Sequence, residues 1–199
     1  MIVQNQVKLA LLATISLIVW MMASPAVAAE RLAGQSPIKE DPGKATAPEI
    51  SRAIAVLQPT QGQEVQGTIT FTQTSEGVQV KAEVIHLPAG KHAYHVHLYG
   101  DCSGPDGKAA GTHFNFQGSS KQPPDNIDRI TGDLGNLEAD ADGKATAQTI
   151  IEHATLHGPY TIIGRSVVVH AKGNDPSSPP MGAAGSRLAC GVMGIGEAS

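Results

Sequence analysis

The chain has 199 residues with a formal net charge of −4, and only 16% of residues are charged and 4% aromatic. An apolar fraction of 41% supplies a core and excludes wholesale disorder. No basic block is present, which argues against a nucleic-acid partner, and two cysteines are too few for a disulfide-dense miniprotein or a cysteine-only metal cluster.

Residues 1–28 read as a signal peptide. Lys8 precedes an apolar run from Leu9 to Met22, and Ala26 and Ala28 stand at the small positions of an A-x-A cleavage site. An uncleaved N-terminal anchor is the alternative, but the small-residue ending favours cleavage. Cleavage removes Lys8 and Trp20, leaves no stable membrane association, and delivers Cys102 and Cys190 to an oxidising compartment, periplasmic or secreted. Residues 29–52 carry Gly34, Pro37, Pro42, Gly43 and Pro48 among scattered charges and read as a flexible linker.

From Ala53 onward, short β-type runs alternate with turn residues. The expected strands are Ala53–Leu57, Gly67–Thr72, Val78–Leu87, His92–Leu98, Thr146–Ile151, Ser166–Ala171 and Leu188–Met193. In the third, Val78, Val80, Ala82 and Val84 alternate with Gln79, Lys81 and Glu83. Turns are expected at Thr60–Gly62, Ser75–Gly77, Pro88–Gly90 and Asp140–Gly143. No long window shows a 3.6-residue apolar period. The expected fold class is therefore all-β: an antiparallel sandwich or flattened barrel of about eight strands over residues 53–199. Two segments without strand character, Tyr99 to about Leu134 and Gly173–Arg187, are long enough to be functional loops.

The histidines concentrate the chemistry. His95 and His97 flank Val96, so in a strand both imidazoles project from one face. His113 lies in the first long loop, and His170 closes the run Val167-Val168-Val169. Four neutral imidazoles suit copper or zinc, and a tetragonal all-nitrogen site suits Cu(II).

The segment Gly90-Lys91-His92-Ala93-Tyr94-His95-Val96-His97-Leu98-Tyr99-Gly100-Asp101 resembles a signature of the copper/zinc superoxide dismutases. Gly111-Thr112-His113-Phe114-Asn115, Gly132-Asp133-Leu134-Gly135-Asn136, Ile162 to His170 and Gly185 to Val192 are similar to the family's remaining motifs, in the family's order, over about Ala53 to Gly196. The resemblance implies a Greek-key, immunoglobulin-like sandwich, a fold that general surveys place among such sandwiches. It implies His95, His97, His113 and His170 as copper ligands and Arg187 as the guanidinium that holds superoxide. It further implies His113 as proton carrier and a Cys102–Cys190 disulfide. His92 corresponds to a structural histidine, and His86, His153 and His157 match no motif.

The zinc half of the pattern is incomplete. His113 and Asp133 remain, but Lys121 or Gln122 stands where one zinc histidine belongs and Ile130 where the other does. Asp125 or Asp128 would have to improvise as ligands. Asn174 replaces the aspartate that links the two metal shells in the family, with Asp175 adjacent as a substitute. The segment Ala171–Ser186 is short, with only Lys172 and Asp175 charged, so anion steering should be weak. The pattern resembles the copper-only branch. The expectation is a superoxide dismutase holding one copper per chain and no tight zinc, with a non-enzymatic copper-binding domain as the rival. A homodimer is left open.

Overall fold

In the computed structural model, residues 49–116, 132–152, 154–179 and 181–198 are described. The leader, most of the linker, Lys121, Gln122, Pro123, Pro124, Asp125, Asp128, Ile130 and His153 lie outside them. The described residues fall in one compact unit, Pro48–Ser199.

Among the described residues, eight antiparallel strands account for almost all regular structure: β1 (Arg52–Pro59), β2 (Gln66–Thr74), β3 (Gly77–Ile85), β4 (Gly90–His97), β5 (Asp133–Ala139), β6 (Ala145–Ile151), β7 (Ser166–His170) and β8 (Arg187–Ile195). Their order across the sheet is β5-β4-β7-β8-β1-β2-β3-β6, and among the described residues one short 3-10 turn, Lys108–Ala110, accompanies them. The neighbours β4–β7, β8–β1 and β3–β6 are distant in sequence, as in a Greek key. β5 and β6, the two edges, pack against each other and nearly close the sheet into a barrel.

The alternation read from the sequence decides the interior. Ile69 and Phe71 of β2 and Val78, Val80, Ala82 and Val84 of β3 all point inward and are buried. Leu57, Val65, Tyr94, Leu137, Ile162 and Met193 complete the same core. Each such aliphatic or aromatic side chain contributes about 1.5–3 kcal/mol by leaving water.

β5 was not expected as a strand, and its composition explains why. Asp133, Gly135 and Asn136 disfavour strands, and the apolar pair Leu134 and Leu137 breaks the period of two. The structure absorbs the extra residue at a register shift against β4, between Ala93 and His95. Gly135, at φ 104°, lies within that shift, so both leucines still reach the core.

Candidate metal centre

β4 changes character along its length. Tyr94 and Val96 join the core, which turns His95 and His97 to the opposite face. That face would normally be wet. Here the loops after β4 and after β7 cover it, and both histidines are completely buried.

Backbone pairing delivers the other site residues. His113 forms an isolated antiparallel bridge with His97. Phe114 N–H donates to Val96 O, and Val96 N–H donates to Gly132 O, each at 2.8 Å. Gly132 has φ 68°, and a side chain there would collide with the Val96 carbonyl, so glycine is required. His170 ends β7 directly opposite Arg187, the first residue of β8, at a register shift in that pair. The 171–186 loop then folds back as a short ladder, Ala171 N–H to Ser186 O at 2.8 Å and Lys172 N–H to Ala184 O at 2.9 Å.

The result is a cluster in which one ligand atom from each of His95, His97, His113 and His170 lies within 4.8 Å of the others. The ring centroids of His95 and His113 are 4.2 Å apart, and those of His95 and His170 are 4.8 Å apart. Two of the rings are oriented by backbone carbonyls. His97 Nδ1 faces Gly111 O at 3.0 Å and His170 Nδ1 faces Gly185 O at 3.4 Å, which leaves both Nε2 atoms pointing at each other, 3.3 Å apart. His95 is held the other way round: Nε2 is bonded to Asn174 Oδ1 at 2.7 Å, and its buried Nδ1 has no hydrogen-bond partner. An unsatisfied buried nitrogen beside three converging imidazoles is costly unless a cation takes the lone pairs. The donor set fits a copper ion.

Burial keeps these rings neutral, the form a metal binds. Desolvation, and next the neighbouring His113, push His95 and His97 down to about 2. Desolvation pushes His170 to about 4, opposed by its bond to Gly185 O.

Arg187 lies half-buried beside the cluster. Its Nη1 donates to Gly107 O at 2.6 Å and its Nη2 to Gly111 O at 2.7 Å. The Gly111 carbonyl therefore holds both the guanidinium and the His97 ring. Gly111 itself has φ 75°, and a Cβ would meet the Tyr99 ring at 2.7 Å. Burial lowers the Arg187 pKa and the Asp106 carboxylate opposes the fall, but an arginine remains charged.

The loop segment carrying Gly107, Gly111 and His113 is anchored at two places. Cys102 and Cys190 form a disulfide that ties it to β8, with Cα atoms 5.7 Å apart. Arg165 clamps its far side, with Nη1 donating to Leu98 O at 2.8 Å and the guanidinium 3.5 Å above the Phe114 ring. Arg165 stands within a recognised motif, yet its role was not legible there, because nothing local shows that Phe114 lies beneath it.

The remaining histidines separate from the cluster. His92 is buried between two carbonyls, Pro88 O at 2.8 Å and His170 O at 2.9 Å, and so braces the end of β7. His86 is exposed in a turn and bonds to Glu64 O, and His157 pairs with Glu49. Asp133 stands beside the cluster, its Oδ1 3.9 Å from His95 Nε2. Its Oδ1 accepts from Gly135 N–H and from Asn174 Nδ2, both at 2.7 Å. Asp175 does not replace the linking aspartate; it caps its own turn through Ser177 and Ser178.

Comparison with known proteins agrees with this geometry. The profile of the copper/zinc superoxide dismutases matches residues 65–193. The chain belongs to the copper/zinc superoxide dismutase family. It is 43% identical over 162 residues to the superoxide dismutase [Cu-Zn] of Onchocerca volvulus, spanning 75% of this chain and 99% of that relative. It is 42% identical over 140 residues to the extracellular superoxide dismutase [Cu-Zn] of Caenorhabditis elegans, spanning 67% and 63% of the two chains. Among solved structures it is similar to the clock protein EA4, with a TM-score of 0.63 and 39% identity over 75% of this chain and 98% of that one. No helix among the described residues is long and apolar enough to cross a membrane.

Proposed function

We propose that this member of the family is an exported copper superoxide dismutase in which His95, His97, His113 and His170 hold one copper ion and Arg187 holds the substrate. The observation that carries the reading is the four-histidine cluster, with the His95 Nδ1 lone pair and the His97 and His170 Nε2 atoms turned into one buried point. Copper supplies the one-electron couple that oxidises one superoxide to O2 and reduces a second, with two protons, to hydrogen peroxide.

The chain's own residues do the rest. The Arg187 guanidinium, fixed by Gly107 O and Gly111 O, keeps further N–H donors for a small anion. Those bonds hold the charge in place before substrate arrives, so little reorganisation is needed. His113 comes from a loop rather than a strand and is the proposed proton carrier. Burial of the four rings excludes water from the ligand nitrogens.

Zinc is proposed to be absent. Of the family's zinc ligands, His113 lies in the copper cluster, and the Asp133 carboxylate is engaged by Asn174 and Gly135. The disulfide and the expected leader support a periplasmic or secreted location. The test is metal content after loading the mature protein with copper and zinc and dialysing exhaustively, followed by superoxide turnover. One copper, no zinc and rapid turnover are expected. Bound copper without turnover would favour the non-enzymatic rival, and one zinc beside one copper would overturn the copper-only reading.

A further inference from the structure

Asn174 joins two residues far apart in the chain, His95 and Asp133. Its Oδ1 lies 2.7 Å from His95 Nε2, its Nδ2 lies 2.7 Å from Asp133 Oδ1, and its own backbone N–H is held by Asn136 Oδ1 at 2.8 Å. The chemistry of the two ends fixes the amide's orientation. A carboxylate only accepts, so the NH2 end must face Asp133, and the carbonyl end must then face His95. His95 Nε2 must in turn carry the hydrogen. The lone pair is thereby placed on Nδ1, the one His95 nitrogen that is buried without a partner.

A carboxylate at position 174 could accept from His95 but could not donate to Asp133. Two carboxylate oxygens at that separation need a proton or a cation between them. The neutral amide makes both bonds with neither.

We propose that Asn174 is a positioning residue that sets the His95 tautomer and links that ring to Asp133 through a neutral bridge, so that this side of the metal centre is organised without a second cation. The consequence for copper rests on the functional reading above; the tautomer does not.

The experiment therefore begins with metal-free protein labelled with 15N-histidine, in which long-range 1H–15N spectra report the His95 tautomer. The parent and Asn174→Asp should both show His95 as Nε2–H, because each keeps an acceptor at 174. Asn174→Ala should show a mixture and should bind Cu(II) about 10–100-fold more weakly in chelator competition, as is usual when the orienting partner of a metal-bound histidine is lost. Zinc should raise the melting temperature of metal-free Asn174→Asp more than that of the parent. An Nδ1–H tautomer in the parent, or an unchanged tautomer in Asn174→Ala, would overturn the positioning role. Equal responses of the parent and Asn174→Asp to zinc would overturn the neutral bridge. A parent with the expected tautomer that fails to bind copper would instead sink the functional reading and leave the inference about the ring standing.

Discussion

The half of the barrel formed by β1, β2, β3 and β6 and the half formed by β4, β7 and β8 obey the same pleat but use it differently. In β3 every second residue is buried and the others face water. In β7 all five residues are buried, and in β4 the last six are. The first half spends its outer face on solubility. The second covers its outer face with two loops and places His95, His97 and His170 beneath them. The binding centre thus sits under a covered outer face, beside the register shifts at Ala93/His95 and Val169/His170. The stability of the two halves should therefore depend on different things, apolar packing in one and loop anchorage in the other.

The sharpest way to break the covered half is to remove its anchor. Replacing Cys102 and Cys190 by serine opens a loop with a sequence separation of 88, which in the chain-entropy model costs about 4–5 kcal/mol. Chemical denaturation should show this loss, and copper retention should fall with it. Two free thiols in the native, unreduced parent would contradict the premise.

The opposite half should respond to packing alone. Phe71 is fully buried in β2, and Phe71→Ala should cost about 3–5 kcal/mol. That loss should be the same size in copper-loaded and metal-free protein. A loss that depends on copper would mean that the halves are coupled more tightly than their architecture implies.

Arg187→Ala tests the covered half without unmaking it. Loss of a charge-assisted contact of about 1.5–3 kcal/mol should lower kcat/KM for superoxide roughly 10- to 100-fold. Copper should stay bound, since His97 keeps its own bond to Gly111 O. Equal rates at matched copper content and low salt would remove Arg187 from the mechanism.

A change of pH tests the histidine half alone. His95 and His97 are held at about 2 and His170 at about 4 by burial, whereas an unfolded histidine titrates near 6.5. Between those values the unfolded chain binds more protons, so stability is complete above about pH 6.5 and falls as pH drops toward 4. Each such group contributes up to about 1.4 kcal/mol per pH unit. Metal-free protein should lose denaturation midpoint across this window. A flat profile would show that the rings are not neutral in the folded state.

Much of this was legible in the residues themselves. The alternation of Val78, Val80, Ala82 and Val84 is a local pattern, and a pleat of period two turns it directly into a buried face. The His95-Val96-His97 spacing places two imidazoles together by the same rule, and the order of the motifs identifies the family. What the sequence could not determine were relations between distant positions. The strand at Asp133–Ala139 forms only because a register shift against β4 accommodates Leu134 and Leu137. Arg187 reaches the cluster because β8 pairs with β7, and it is held by Gly107 and Gly111, some eighty residues earlier in the chain. Asn174 read as a departure from a pattern until its two amide ends were seen against His95 and Asp133. Hydrogen bonds and metal ligation act over about 3 Å, and only the folded chain decides which residues come that close.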